Sequence, residues 1–239
     1  MQKRTIQNLK KMISRLILIC CLTGGLQVIL PVMAGAEVST GLVDQWLEHQ
    51  AQIRTWSADV LQIRKLKSLA RPLESTGRVW FRQPNRFRWQ LGDPPRTVAV
   101  RTADALTVIY PRLKQAERYP ISGVSDPAWK QVLTLLEVGF PSDKDTFYSR
   151  YEVLSARRTD SKLIFEVRPS SSAARRLLEK VHLEVSSEDF TLTVTELVFP
   201  DGSSMRNQFS GHQLNPDLDD GLFRVDLGED YQMVEPLKR

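Results

Sequence analysis

Three histidines, two cysteines and 28 carboxylates are the side chains of this 239-residue chain best suited to catalysis or metal binding. Their spacing offers neither. His49, His182 and His212 fall on separate elements, without the His-Glu-x-x-His pattern or any comparable ligand spacing, so no metal site is expected. Cys20 and Cys21 lie in a stretch that reads as a removable leader, and no thiol follows them to serve as nucleophile, disulfide or metal ligand. There is no Gly-x-Ser-x-Gly elbow, no phosphate-binding loop and no dinucleotide fingerprint. A hydrolase built on Asp or Glu would need a close carboxylate pair, which spacing alone does not identify. The expectation is a protein that is not an enzyme and carries no cofactor.

A second set suggests nucleic acid. Arg78, Arg82, Arg86, Arg88, Arg96 and Arg101 interleave with Trp80, Phe81, Phe87 and Trp89, a mixture that suits single strands. Charge decides against it. The formal net charge is +5, but residues 1–36 hold five of the 33 basic side chains and no acidic one, leaving 28 basic against 28 acidic. A neutral body lacks the field that nucleic acid requires, so the arginines read as the outer face of strands whose other face is apolar.

What remains is burial. Val79, Phe81, Phe87, Trp89 and Leu91 share one strand face, while Leu42, Trp46, Trp129, Leu133 and Leu136 fall on two amphipathic helices. A curved sheet covered by helices either fills its interior with side chains or leaves an apolar cavity for a ligand. The pattern alone leaves both open: Trp46 and Trp129 can close a cavity or pack a solid core.

The elements that must position these residues begin with the leader. A basic stretch ends at Arg15, an apolar run covers 16–33, and Ala34-Gly35-Ala36 supplies small residues for cleavage after Ala36. An uncleaved anchor is the alternative, weakened by Gly24, Gly25, Gln27 and Pro31. Residues 37–239 then form one domain, since no repeat, charge block or long linker divides them. Their composition, in a chain 41% hydrophobic and 26% charged, is that of an ordinary globular protein and excludes a disordered or polytopic membrane chain.

Leu42, Val43, Trp46, Leu47, Gln50 and Ile53 predict a helix over 40–54. Alternation then predicts strands: Ala58, Val60 and Gln62 against Asp59, Leu61 and Ile63; 77–81; and Phe87, Trp89 and Leu91 against Arg86, Arg88 and Gln90. Further strands are expected at 97–101, 106–110 and 115–121. Asp126-Pro127 opens a second helix carrying Trp129, Val132, Leu133 and Leu136, which Gly139 and Pro141 end. Ser142-Asp143-Lys144-Asp145 opens a shorter helical turn before Tyr151. Strands at 151–156, 163–168, 181–185, 191–199, 205–214 and 223–226 complete the chain, with Asp201-Gly202 as a hairpin turn. Strand after strand without crossover helices implies an antiparallel sheet or barrel.

The run Gly77-Arg78-Val79-Trp80-Phe81-Arg82-Gln83-Pro84-Asn85-Arg86-Phe87-Arg88-Trp89 resembles the signature of the periplasmic outer-membrane lipoprotein carrier (LolA-like) family. Tyr110-Pro111, Lys114-Gln115-Ala116-Glu117, the Asp201-Gly202 hairpin, Leu214-Asn215 and the Phe223 strand follow in matching order. The resemblance implies an α+β fold, mainly β: a strongly curved antiparallel sheet forming an incomplete barrel under a helical lid. It implies a monomeric periplasmic chaperone that receives acylated lipoproteins from an inner-membrane release transporter and passes them to an outer-membrane acceptor. Val79, Phe81, Phe87, Trp89 and Leu91 would line the lipid cavity, with Trp129, Leu133 and Leu136 in the lid. The family places an arginine before the proline as a lid latch. Here that position is Gln83, a neutral amide and a weaker latch than a charge-assisted one. Two other readings keep the fold: a sensor or adaptor domain that binds lipid as a signal, and a carrier of another lipid or glycolipid.

Overall fold

A computed structural model describes residues 40–121, 139–141 and 143–236. The leader, and the expected second helix with Trp129, Leu133 and Leu136, lie outside the described residues.

The first element is helix α1 (Thr40–Gln50), which buries Val43, Trp46, Leu47 and Gln50, the stripe expected at positions three and four apart. Twelve strands follow among the described residues: β1 (Thr55–Lys65), β2 (Leu73–Arg82), β3 (Arg86–Leu91), β4 (Thr97–Arg101), β5 (Ala105–Tyr110), β6 (Gln115–Pro120), β7 (Tyr151–Arg158), β8 (Lys162–Pro169), β9 (Lys180–Ser186), β10 (Leu192–Val198), β11 (Ser204–Leu214) and β12 (Gln232–Val234). Two short helices interrupt them. In α2 (Lys144–Arg150) the Asp143 side chain accepts the Thr146 N–H at 2.7 Å, and in α3 (Ser172–Arg175) the Ser171 hydroxyl accepts the Ala174 N–H at 3.1 Å.

All twelve strands belong to one open, curved sheet in the order β12-β6-β5-β4-β3-β2-β1-β11-β10-β9-β8-β7. The fold is mainly β with a few helices. Every neighbouring pair is antiparallel except β12, which lies parallel to β6, so the sheet is not wholly antiparallel. The turn from β2 to β3 passes through Asn85 at φ 65°, a left-handed conformation that asparagine tolerates. The β10–β11 hairpin turns at Gly202, φ 83°, where the Phe199 carbonyl accepts the Gly202 N–H. Gly77 lets β2 approach β3 closely, because a Cβ there would lie 1.8 Å from the Gln90 carbonyl oxygen.

The inner face of the sheet divides in two. Over β7 to β9 it is filled: Leu163, Phe165, Val167, Val181, Leu183 and Val185 are fully buried beneath α1 and α2. Trp46, itself fully buried, packs against Phe147 at 5.8 Å and Phe165 at 5.7 Å between ring centroids. Side chains buried to this extent contribute roughly 1.5–3 kcal/mol each. Trp46 therefore packs a solid core. Over β1 to β5 the inner face is instead partly open.

The outer face of β4 to β6 carries a second, smaller core. Val98, Val100, Ile109 and Ala116 are covered there by Val225, Leu227 and Tyr231 of the C-terminal segment. This segment corrects the strand expected at 223–226. Residues Asp220–Phe223 form a 3-10 turn, because the Asp219 carboxylate accepts the Gly221 N–H at 2.6 Å, and Phe223 is buried beneath the Arg82 guanidinium, 5.2 Å away. The terminal strand is β12.

Candidate functional site

The open part of the inner face is a cavity of about 140 Å³. Its apolar wall follows from register. Phe81 on β2 faces Phe87 on β3, and Val79 faces Trp89, which faces Ala99 on β4. Val79, Phe81, Phe87, Trp89 and Leu91 all line the cavity, joined by Leu106 and Val108 from β5. On the other side Leu197 from β10 and Met205 and Phe209 from β11 complete it. Phe209 meets Trp56 edge-on at 5.2 Å and Trp89 at 5.9 Å, tying the two sides together.

Residues 139–141 cover this wall. Phe140 stacks on Phe81 with centroids 4.5 Å apart and lies 4.9 Å from Trp56. Gly139 allows the approach: a Cβ there would stand 3.0 Å from a Leu192 methyl and 3.4 Å from the Thr195 methyl. Sequence reasoning treats Gly139 and Pro141 as helix-ending residues and passes over the phenylalanine between them.

Gln83 is not in the main cavity. It lines a lateral recess of about 60 Å³ together with Gln50, Ile53, Pro84 and Pro141, and the recess shares Phe81, Asn85 and Phe140 with the main cavity. Its N–H donates to the Arg54 carbonyl at 2.8 Å, beyond the end of β2.

The arginines divide. Arg82 donates to the Asp220 carboxylate and the Leu218 carbonyl, and Arg88 to the Leu222 carbonyl at 3.3 Å, so the outer-face pair anchors the C-terminal segment. Arg78 lies outside as well, over the Trp80 ring at 5.6 Å. Arg101 departs from the outer-face assignment: it is 6% exposed and lines the cavity. Its neighbours Val98 and Val100 take the second core, which turns Thr97, Ala99 and Arg101 inward.

Arg101 is the one ionisable side chain among the described lining residues, and none of them is a carboxylate. Gln62, Asn207 and Thr195 form a row of amides and a hydroxyl in the wall, and Asn85 and Thr97 are its other uncharged polar members. Gln62 is legible in the sequence as the continuation of Ala58 and Val60 on one strand face, and Asn207 as the position between Met205 and Phe209. The histidines are apart from the cavity and from one another. His49 stacks on Phe190 at 5.5 Å, His182 Nε2 lies 3.2 Å from Glu184, and His212 Nε2 lies 2.9 Å from the Leu192 carbonyl.

Residues 51–226 match the family described as outer membrane lipoprotein carrier protein LolA. The outer-membrane lipoprotein carrier protein of Chromohalobacter salexigens is 25% identical over 212 residues, covering 88% of this chain and 93% of that protein. Among solved structures, a LolA superfamily protein from Nitrosomonas europaea aligns at TM-score 0.39 and 15% identity over 76% of this chain and 97% of that one. An uncharacterized conserved protein from Thermus thermophilus aligns at TM-score 0.48 and 13% identity, over 82% and 99% respectively. With most of its length matched by the family, from within the turn after α1 to the segment that follows Phe223, the chain belongs to the outer membrane lipoprotein carrier protein LolA family.

Proposed function

We propose that this protein is a periplasmic carrier that shields the acyl chains of lipoproteins in transit from the inner to the outer membrane. Residues 1–36 act as a cleaved export signal, and residues 37–239 are a single lipid-binding domain. The observation that carries the reading is the apolar cavity bounded by Val79, Phe81, Phe87, Trp89 and Leu91 under the Phe140 ring.

Transfer of an acyl chain out of water is favourable by roughly 0.8 kcal/mol per CH₂, so a chain crossing an aqueous compartment requires a cover. A void of about 150 Å³ holds one benzene-sized ring. The cavity, at about 140 Å³, is therefore too small for a whole acyl chain, and Phe140 would withdraw to admit one. Leu133, Leu136 and Trp129 are assigned to the lid that moves with them. Gln83 shares the lateral recess with Phe140 and Pro141, which supports a weak latch there. Binding and release are non-covalent, the protein works as a monomer, and its partners are an inner-membrane release transporter and an outer-membrane acceptor.

The test is mass spectrometry of the mature protein purified from its native periplasm, followed by uptake of an added acyl probe. Co-purifying acylated lipoproteins support the carrier. A bound glycolipid or other lipid keeps the cavity and replaces the cargo. A protein that arrives empty, takes up no probe and holds a membrane regulator stably overturns the carrier in favour of a sensor or adaptor.

A further inference from the structure

An apolar cavity that only sheltered hydrocarbon would be lined most simply by hydrocarbon, yet three polar side chains cross its wall in a single row. Gln62 on β1 stands opposite Asn207 on β11, which stands opposite Thr195 on β10. All three line the cavity and are less than 8% exposed. The Gln62 amide donates to Asn207 Oδ1 at 3.1 Å, and the Asn207 amide donates to Thr195 Oγ1 at 3.0 Å.

Two hydrogen bonds do not satisfy three such groups. The Thr195 hydroxyl accepts from Asn207, so its own hydrogen is left to donate, and among the described residues it has no acceptor. Gln62 keeps its carbonyl oxygen unused at the other end of the row. Turning both carboxamides over only exchanges the ends: a row of three joined by two bonds always retains a donor at one end and an acceptor at the other. In the same cavity the Trp89 indole N–H is buried and has no acceptor among the described residues. Buried donors left without a partner are costly, so these groups ask for a polar occupant.

We infer that the Gln62–Asn207–Thr195 row, with the Trp89 N–H, is a subsite for the carbonyl group of an acyl ester or amide. The inference rests on the carrier reading above and deepens it. A carbonyl accepts from Thr195 or Trp89, while a neighbouring amide N–H or glyceryl hydroxyl donates to the free acceptor of the row. The ends of the row are two inter-strand spacings apart, about 9–10 Å, which is the scale of a head group with its acyl linkages and larger than one carbonyl. The subsite thereby selects acyl linkages over bare chains and sets how deep a chain enters: the head group stops at the row and the hydrocarbon runs along Trp89, Phe87 and Phe81.

The experiment compares two ligands that differ by one carbonyl. 1-Monopalmitoylglycerol (ester) and 1-O-hexadecylglycerol (ether) each displace the apolar dye N-phenyl-1-naphthylamine from the purified protein, with N-palmitoylglycinamide as the acyl-peptide counterpart. The ester and the amide are expected to bind at least about five-fold tighter than the ether. The combined variant Gln62→Leu, Asn207→Leu, Thr195→Val, which removes the row without stranding a partner, is expected to lose the preference, read as the ratio of ester to ether affinity, whatever the new wall's affinity for the dye. Thr195→Val alone, nearly isosteric, lowers it by about three-fold and serves if the combined variant fails to fold. Whichever of the glycerol ester and the acyl amide binds tighter identifies the source of the carbonyl, a free glycerolipid or an acylated polypeptide. Equal affinity for ester and ether in the wild-type protein, or a preference that survives the substitutions, overturns the subsite and leaves the carrier standing. Failure to bind dye or any of the three ligands overturns the carrier itself.

Discussion

Phe140 lies flat on Phe81, ring planes inclined by 17° and centroids 4.5 Å apart, so the cover of the cavity is held by the same residue that begins its wall. Phe140→Ala removes that contact and opens a larger void. The variant is expected to take up an apolar dye several-fold more tightly, at a cost in stability of roughly 1–3 kcal/mol. Dye titration and urea unfolding measure the two effects. Unchanged dye affinity would mean that Phe140 does not gate the cavity.

Gly77 sets the spacing between β2 and β3. A methyl group there would meet the Gln90 carbonyl oxygen at 1.8 Å, a clash with backbone that no rotamer relieves. Gly77→Ala must therefore push the two strands apart, separating Val79 from Trp89 two residues along. The expected result is a loss of roughly 2–4 kcal/mol in urea unfolding together with weakened probe binding. Wild-type stability in that variant would show that the strands have room to spare.

Glu184 ties two cations and a histidine to the outer face of the filled half. Its carboxylate accepts from Lys162 at 2.6 Å, Arg206 at 2.8 Å and His182 at 3.2 Å. Burial works against the charge, but the donors outweigh it and hold the carboxyl down at about 2. The stabilisation is complete above the carboxylate's unfolded pKa, about 4.3, and is lost as the pH falls toward the folded value. It amounts to at most about 3 kcal/mol. Unfolding curves of wild type and Glu184→Gln should differ most at neutral pH and converge between about pH 4.5 and 2. A constant offset across that window would assign the difference to packing instead.

Arg82 holds the C-terminal segment by its hydrogen bonds to Asp220 and Leu218 and its seat over Phe223. Arg82→Ala should raise amide hydrogen exchange over 218–224 by about ten-fold or more while leaving exchange in β8 and β9 unchanged. Dye binding should stay at the wild-type level, because the segment lies on the face opposite the cavity. Protection that persists in the variant would assign the anchoring to Arg88 and to the second core.

The strands are legible wherever one face is apolar and the other polar. Phe87, Trp89 and Leu91 alternate with Arg86, Arg88 and Gln90, and that alternation orients β3 correctly. It fails on β4, where both faces are covered: Val98 and Val100 pack beneath Val225, Leu227 and Tyr231, so Arg101 turns into the cavity although its type suggests solvent. The 223–226 segment fails for a related reason. Its apolar residues read as a strand locally, but the Asp219–Gly221 cap and the Arg82 guanidinium decide its shape, and Arg82 lies more than 130 residues earlier. The polar row is hidden by the same distance, since Gln62 and Asn207 are 145 positions apart and neither signals the other. Asn215 shows the converse. In the sequence it is only a matching residue, whereas in the fold its Oδ1 accepts the Arg54 N–H at 2.7 Å and fixes the start of β1.

An open sheet has two ends, and each is a ladder rung waiting for a partner. Here one end is finished by β12, three residues long and followed two positions later by Pro236, which has no N–H to offer. The other, β7, carries the charged side chains Glu152, Arg157 and Arg158, which a further strand would have to desolvate. A carrier that separated its walls to admit a guest would spend part of its working life with apolar surface uncovered. Blunted borders keep that moment from becoming the first step of a fibre.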